Sequence, residues 1–113
     1  MEIYKYPSNR GKMENPTIEE YEVNKFCGDE VLLQLQIVQG KIVDAKFSGD
    51  ACAVGIISSS LVTEEIIGKT LEEAQNLTKE QVLDMIGTQL TTSRVKCATL
   101  VLEALQNALK KYE

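Results

Sequence analysis

The stretch Val31–Phe47, VLLQLQIVQGKIVDAKF, decides the fold of this chain. Apolar and polar residues alternate over Val31–Val38, which predicts a strand with one buried face and one wet face. A tight turn follows at Gln39-Gly40, and Lys41–Phe47 returns as the second strand of an antiparallel hairpin. The residues expected together on one face of the return strand are Val43, Ala45 and Phe47.

Before the hairpin, apolar and polar residues alternate over residues 20–24, which predicts a short edge strand. After it, residues 53–67 form a mostly apolar segment that is typical of a helix buried on more than one side. Two capping boxes, Thr70 with Glu73 and Thr78 with Gln81, predict helices over 71–77 and 79–86. Ser93 is the expected N-cap of a last helix from Arg94 to about Tyr112. Because strands precede helices, the order predicts an α+β fold, a small antiparallel sheet with helices packed on one face.

Composition limits the function classes. The chain has 113 residues, which suits a single domain over 1–113, with 1–18 expected to be a loosely packed N-terminal segment. It carries no histidine, which excludes Ser-His-Asp and Cys-His nucleophiles and His-ligated zinc. Its net charge of −5 argues against nucleic-acid binding. No apolar run suggests a membrane helix and residues 1–7 do not resemble a signal peptide, so we expect a cytoplasmic protein without a membrane partner.

Three cysteines lie at element boundaries, far apart in the sequence. Cys27 falls in a turn with Asp29 two residues later, Cys52 directly precedes a helix, and Cys97 lies in the predicted first turn of the last helix. Helix N-termini favour the thiolate, the form that attacks sulfur or binds metal. Residue type and spacing alone leave two interpretations open. The cysteines are either buried thiols of the core or members of a shared metal or sulfur site.

At these residues the chain resembles the NifU N-terminal family, the IscU and SufU type of iron–sulfur cluster assembly scaffold. Several short motifs occur in register over roughly residues 7 to 110. The matching stretches are Asn24–Asp29, Gly40–Phe47, Ala51–Ala53, Ser58–Glu64, Gly68–Ala74 and Arg94–Leu100. The resemblance implies a three-stranded antiparallel sheet with helices on one side.

The resemblance also implies a function. Such scaffolds accept sulfur from a cysteine desulfurase, take up iron from an iron donor, build a transient 2Fe–2S cluster and transfer it to recipient apoproteins. Carried over residue by residue, the ligands for the cluster or metal would be Cys27, Asp29, Cys52 and Cys97, with Cys97 as the persulfide acceptor. A homo-oligomer around the cluster is one possible arrangement. The protein would then be a carrier and not an enzyme with its own catalytic residues.

Lys96 stands where the IscU type carries a histidine. We expect its charge to support ionisation of the neighbouring Cys97 from outside the ligand set, since a charged lysine cannot coordinate a metal. The residues around Lys96 are more similar to the SufU type, whose members bind zinc and relay sulfur. A zinc-binding, SufU-like sulfur acceptor that works with a cysteine desulfurase is therefore the alternative function, with zinc in the same site.

Overall fold

The computed structural model describes residues 9–24, 28–87 and 92–112, with the side chains of 92–94 excepted. Within these residues it contains one antiparallel sheet of three strands in the order β1-β2-β3. The strands are β1 (Ile18–Asn24), β2 (Asp29–Val38) and β3 (Lys41–Ser48). The predicted hairpin and edge strand are both confirmed. Asp29, which the sequence placed in a turn, is instead the first residue of β2.

Four helices within the described residues follow the sheet, in agreement with the predicted α+β class. They are α1 (Ala53–Ile66), α2 (Leu71–Gln75), α3 (Lys79–Ile86) and α4 (Thr92–Tyr112). Both predicted capping boxes are present at the first residues of α2 and α3. Helix α1 is buried on most sides, as its apolar composition predicts. The core joins one sheet face to the helices, and its completely buried large side chains include Leu33, Leu35, Ile42, Val62, Ile66, Val82, Leu102 and Leu105.

A β-bulge changes which residues of β3 are buried. The strand register shifts between Gln36 and Ile37, so Ile37 pairs with Ile42 while Gln36 pairs with Asp44. The residue between these partners, Val43, is left on the outside with 49% of its surface exposed. The prediction that Val43 shares a buried face with Ala45 and Phe47 is therefore wrong. Simple alternation cannot anticipate an extra residue in one strand.

In the second half of β1, Tyr21 and Val23 face outward, whereas Glu20 and Asn24 are buried on the inner face. Tyr21 is 53% exposed, whereas Glu20 is only 8% exposed. The reason lies in α4, whose C-terminal end packs on this strand with polar residues. Lys111 Nζ donates to Glu20 Oε1 at 2.8 Å, and Asn107 Nδ2 donates to Glu22 Oε2 at 2.8 Å. Polar partners on the helix thus allow carboxylates to occupy the covered face of the edge strand.

Residues 9–17 cross the outer side of the sheet. The Gly11 N–H donates to the Phe47 carbonyl at 2.8 Å, which attaches this segment to the free edge of β3. Gln34 then holds Met13 by two hydrogen bonds to its backbone, of 2.8 and 3.2 Å. Residues 1–8 lie outside the described residues, and the loose packing predicted for 1–18 stays a prediction.

No helix within the described ranges combines the length and apolar character needed to span a membrane.

Candidate metal centre

Three residues that are distant in the sequence meet at one end of the sheet. Asp29 begins β2, Cys52 directly precedes α1, and Cys97 lies in α4. Their possible ligand atoms, one carboxylate oxygen and two sulfurs, all lie within 4.8 Å of one another. Asp29 and Cys97 are buried, and Cys52 is partly exposed. The cluster therefore lies just beneath the surface, with Cys52 on its open side.

Only one oxygen of the Asp29 carboxylate has a hydrogen-bond partner within the described residues. Asp29 is 4% exposed, and its Oδ1 accepts a hydrogen bond of 3.1 Å from the backbone N–H of Cys52. Its Oδ2 is buried and has no hydrogen-bond partner within the described part of the chain. A buried polar atom without a partner costs about 1–3 kcal/mol. A buried oxygen of this kind, on a carboxylate that lies beside two cysteines, has the properties of a metal ligand.

The loop that brings Cys52 to the site is held against the start of β2. The Glu30 N–H donates to the Asp50 carbonyl at 2.8 Å. Gly49 has a φ of +116°, and a Cβ atom there would lie 2.6 Å from the Glu30 carbonyl oxygen. Gly49 thus permits tight backbone geometry in the loop that leads to Cys52. This close contact fixes the path of the loop from the end of β3 to α1.

Cys97 lies deeper in its helix than the sequence predicted. Because α4 begins at Thr92, with Ser93 inside the helix, Cys97 lies in the second turn and not the first. Unpaired N–H groups are confined to the first turn of a helix, so they do not favour the thiolate at this position. The predicted N-cap role of Ser93 is likewise wrong. What the second turn provides is burial, since Cys97 is 3% exposed.

A buried serine of the apolar helix α1 connects two helices next to the site. The hydroxyl of Ser58 in α1 donates a short hydrogen bond to the backbone carbonyl of Ala98 in α4. Ala98 directly follows Cys97, so this bond fixes α1 against α4 beside the site. The signal in the sequence was the hydroxyl itself, because a serine in an apolar helix needs an acceptor when it is buried.

The roles of two predicted site residues, Cys27 and Lys96, stay predictions. Cys27 lies outside the described residues, and its assignment as a ligand stays a prediction. The last residue before that gap, Asn24, accepts a hydrogen bond of 2.9 Å from the Gly28 N–H, the first group after it. Lys96 is exposed and directly precedes Cys97 in α4. Its predicted electrostatic role also stays a prediction.

The donor set suits a thiophilic metal. In tetrahedral coordination, two atoms bound to one zinc ion by bonds of about 2.3 Å lie about 3.8 Å apart. The three ligand atoms lie within 4.8 Å of one another, so metal binding requires them to move together by up to about 1 Å. Thiolates favour zinc and the iron of iron–sulfur clusters over hard cations such as magnesium. The residues present therefore fit the metal that the sequence predicts, and Asp29 Oδ2, Cys52 and Cys97 would hold it.

The whole chain, residues 1–113, matches the NifU-like N terminal domain family. This chain belongs to that family. The family resemblance inferred from the cysteine motifs is thereby confirmed, and the observed sheet and helices agree with the fold it implied.

Relatives within the NifU-like family carry two kinds of name. The chain is 36% identical to an iron-sulfur cluster assembly scaffold protein IscU of Thermotoga maritima, over 90% of this chain and 83% of the relative. It is 30% identical to a zinc-dependent sulfurtransferase SufU of Bacillus subtilis, over 100% and 88%. Both names describe proteins that handle sulfur or metal.

A solved structure agrees with this family membership. The chain superposes with a TM-score of 0.82 and 33% identity on a candidate iron-sulfur cluster assembly scaffold protein for the SUF system of Fervidobacterium islandicum. The match covers 96% of this chain and 92% of that one. The sheet and helices that position the candidate metal centre are therefore shared with a protein assigned to sulfur and iron chemistry.

Proposed function

We propose that this protein is an iron–sulfur cluster assembly scaffold. It accepts sulfur from a cysteine desulfurase, binds iron, assembles a 2Fe–2S cluster and transfers that cluster to recipient apoproteins. The ligands are Cys27, Asp29, Cys52 and Cys97, the four needed to complete such a cluster. The cluster is cargo, so the protein acts as a carrier and supplies no acid–base group of its own; the sequence has no histidine for that purpose.

The observation that carries this proposal is the meeting of Asp29, Cys52 and Cys97 at one end of the sheet. Core cysteines would be scattered among apolar side chains, whereas these two sulfurs share their surroundings with a buried carboxylate oxygen that has no partner in the described residues. A bound metal or cluster would stabilise such an arrangement, because it bonds to all three atoms at once.

Sulfur delivery needs a thiolate that can reach the desulfurase. In the proposed step the thiolate of Cys97 attacks the outer sulfur of the desulfurase persulfide. A new S–S bond forms on Cys97, the old S–S bond breaks, and the desulfurase cysteine leaves as a thiolate. Reduction of the transferred sulfur to sulfide then requires two electrons from an external thiol or electron-transfer protein. Because Cys97 is buried and Cys52 partly exposed, the approach to Cys97 runs past Cys52.

The second candidate is a zinc-bearing sulfur acceptor that works with a desulfurase. Two observations favour it: the zinc-dependent SufU relative, and the lysine at position 96 next to Cys97. Three thiolates and one carboxylate also suit tetrahedral zinc. In this function the metal stays bound, and the sulfur is relayed onward.

Anaerobic purification followed by metal analysis and visible spectroscopy distinguishes the two functions. A scaffold reconstituted with iron, cysteine, a cysteine desulfurase and a thiol reductant turns brown and then passes its cluster to an apo-ferredoxin. A zinc protein stays colourless and contains one zinc per chain under the same treatment. A colourless and metal-free product would contradict both functions. Mass spectrometry after incubation with desulfurase and cysteine tests for an added sulfur atom on Cys97.

A further inference from the structure

Gly55 lies where the Asp29 carboxylate approaches helix α1 most closely. A Cβ atom at position 55 would lie 3.1 Å from Asp29 Oδ2, 3.0 Å from the Cβ of Ala51 and 3.8 Å from the carbonyl oxygen of Cys97. These neighbours come from the strand, the loop and the helix that carry the candidate ligands. The space that a side chain would fill is therefore the space beside the unpartnered carboxylate oxygen.

Backbone conformation does not explain this glycine. Gly55 is the third residue of α1 and is absent from the glycines with positive φ. At an ordinary helical position, glycine destabilises a helix by about 1 kcal/mol relative to alanine. Secondary structure thus favours alanine at position 55, and the reason for glycine must lie in the contacts around it.

We propose that Gly55 is a positioning residue of the metal site. By leaving out a Cβ, it gives Asp29 Oδ2 the room to lie against α1 and to turn towards the two sulfurs while Oδ1 keeps its bond to the Cys52 N–H. The inference rests on the proposed function, because it requires Asp29 to bind the metal. It deepens that function by naming the residue that sets the distance between the carboxylate ligand and the thiolates.

An alanine at position 55 would displace one of two groups by a few tenths of an ångström. If the carboxylate of Asp29 moves, its oxygen changes distance from the metal directly. If the first turn of α1 moves, Cys52 moves with it. Metal–ligand bonds tolerate deviations of only about 0.2 Å, so either displacement weakens binding. Both routes act through Asp29 or its immediate partner, which makes the effect testable.

A double-mutant cycle isolates this coupling. The four proteins are wild type, Gly55→Ala, Asp29→Ala and the double variant, each titrated with Co²⁺ and with Zn²⁺ in competition. In the wild-type background we expect Gly55→Ala to weaken affinity about 10-fold and to alter the Co²⁺ d–d spectrum. In the Asp29→Ala background the same change should alter affinity less than about two-fold. Equal losses in both backgrounds, or no loss in either, would overturn the inference.

A second variant controls for folding. Ala51→Gly with Gly55→Ala removes the 3.0 Å contact between the two Cβ atoms but keeps the contact with Asp29. We expect this protein to unfold at a urea concentration close to that of wild type and still to bind Co²⁺ weakly. Recovery of wild-type affinity would instead show that the contact with Ala51 causes the loss of affinity, and would overturn the role of Gly55 in positioning Asp29.

The same titrations separate this inference from the proposed function. Wild-type protein that binds neither Co²⁺ nor Zn²⁺ would contradict the metal site itself and the role of Gly55 with it. Wild-type protein that binds both metals, together with an unchanged Gly55→Ala variant, would contradict the role of Gly55 alone.

Discussion

Asp29 accepts a hydrogen bond of 3.1 Å from the backbone N–H of Cys52. The first residue of β2 thereby holds the N-cap residue of α1, whose own side chain makes no capping bond. One carboxylate oxygen accepts this bond and the other, Oδ2, is buried without a partner within the described residues. In the proposed site, stability and metal binding depend on the same side chain, and substitutions can separate them.

Replacing Asp29 by asparagine or by alanine should affect stability differently, because only asparagine keeps a side-chain oxygen. Asp29→Asn keeps an oxygen that can accept the Cys52 N–H, whereas Asp29→Ala removes both this acceptor and the unpartnered Oδ2; because the two effects oppose each other, its metal-free unfolding free energy should stay within about 1 kcal/mol of the wild-type value. Both variants should bind Zn²⁺ at least about 10-fold more weakly than wild type. Urea unfolding of the metal-free proteins and competitive Zn²⁺ titration measure these effects. Full affinity in Asp29→Asn would remove the carboxylate from the ligand set.

Cys97 and Cys52 are expected to differ as sulfur acceptors. After incubation with a desulfurase and cysteine, wild type and Cys52→Ser should each gain a sulfur atom that thiol reductants remove, whereas Cys97→Ser should gain none. Mass spectrometry of the intact proteins checks this. Since both serine variants lose one ligand, both should bind metal weakly, so metal affinity serves as the matched control. A sulfur adduct on Cys97→Ser would assign the persulfide to another cysteine.

Ser58 should stabilise the packing of α1 against α4. Ser58→Ala removes its hydrogen bond to the Ala98 carbonyl and is expected to lower the unfolding free energy by about 1 kcal/mol. The neighbouring Ser59 is also buried, at 4% exposure, so Ser59→Ala is a matched control for the loss of a buried hydroxyl from the same helix. Urea unfolding measures both variants. Equal losses of stability would show that the hydrogen bond contributes nothing specific.

Chelation should destabilise the metal-loaded protein. Its ligands come from a strand, a loop and a helix, so a bound ion joins three elements and stabilises the folded state over the unfolded one. We expect the thermal midpoint to fall when EDTA removes zinc from the purified protein and to recover when zinc is added back. Asp29→Ala should show a smaller fall. An unchanged midpoint in wild type would argue against a metal bridging these elements.

The capping box of α2 should weaken in acid. The pKa of Glu73 lies below its usual value because the carboxylate accepts the Thr70 N–H. The folded state therefore prefers the ionised form, and its contribution is present above the ordinary pKa of 4.5 and is lost as the pH falls below it. Carboxyl NMR titration measures the shift. In Thr78→Ala, which alters only the other capping box, the Glu73 titration should not change.

Local signals predicted most of the secondary structure correctly. The alternation in β2 and the two capping boxes depend on neighbours within a few residues, and the structure confirms them. The prediction for Val43 is wrong because a bulge depends on how two strands pair. The inward-facing Glu20 was not apparent from the pattern, because its partner Lys111 lies at the opposite end of the chain.

The proximity of three predicted site residues could be inferred from the sequence, but their geometry could not. Residue type and family resemblance pointed to Asp29, Cys52 and Cys97, and they indeed lie together. Cys97 lies in the second turn of α4 and not in the predicted first turn, because the helix begins at Thr92 and not after Ser93.

The sequence by itself determined the element types, the caps and the set of residues capable of binding metal, since these follow from short-range periodicity and side-chain chemistry. Only the tertiary structure decided which carboxylate oxygen is left without a partner, and that Gly55 provides its space. Those features arise where a strand, a loop and two helices pack together. Contacts of this kind join residues far apart in the chain, and no local pattern of sequence encodes their distances.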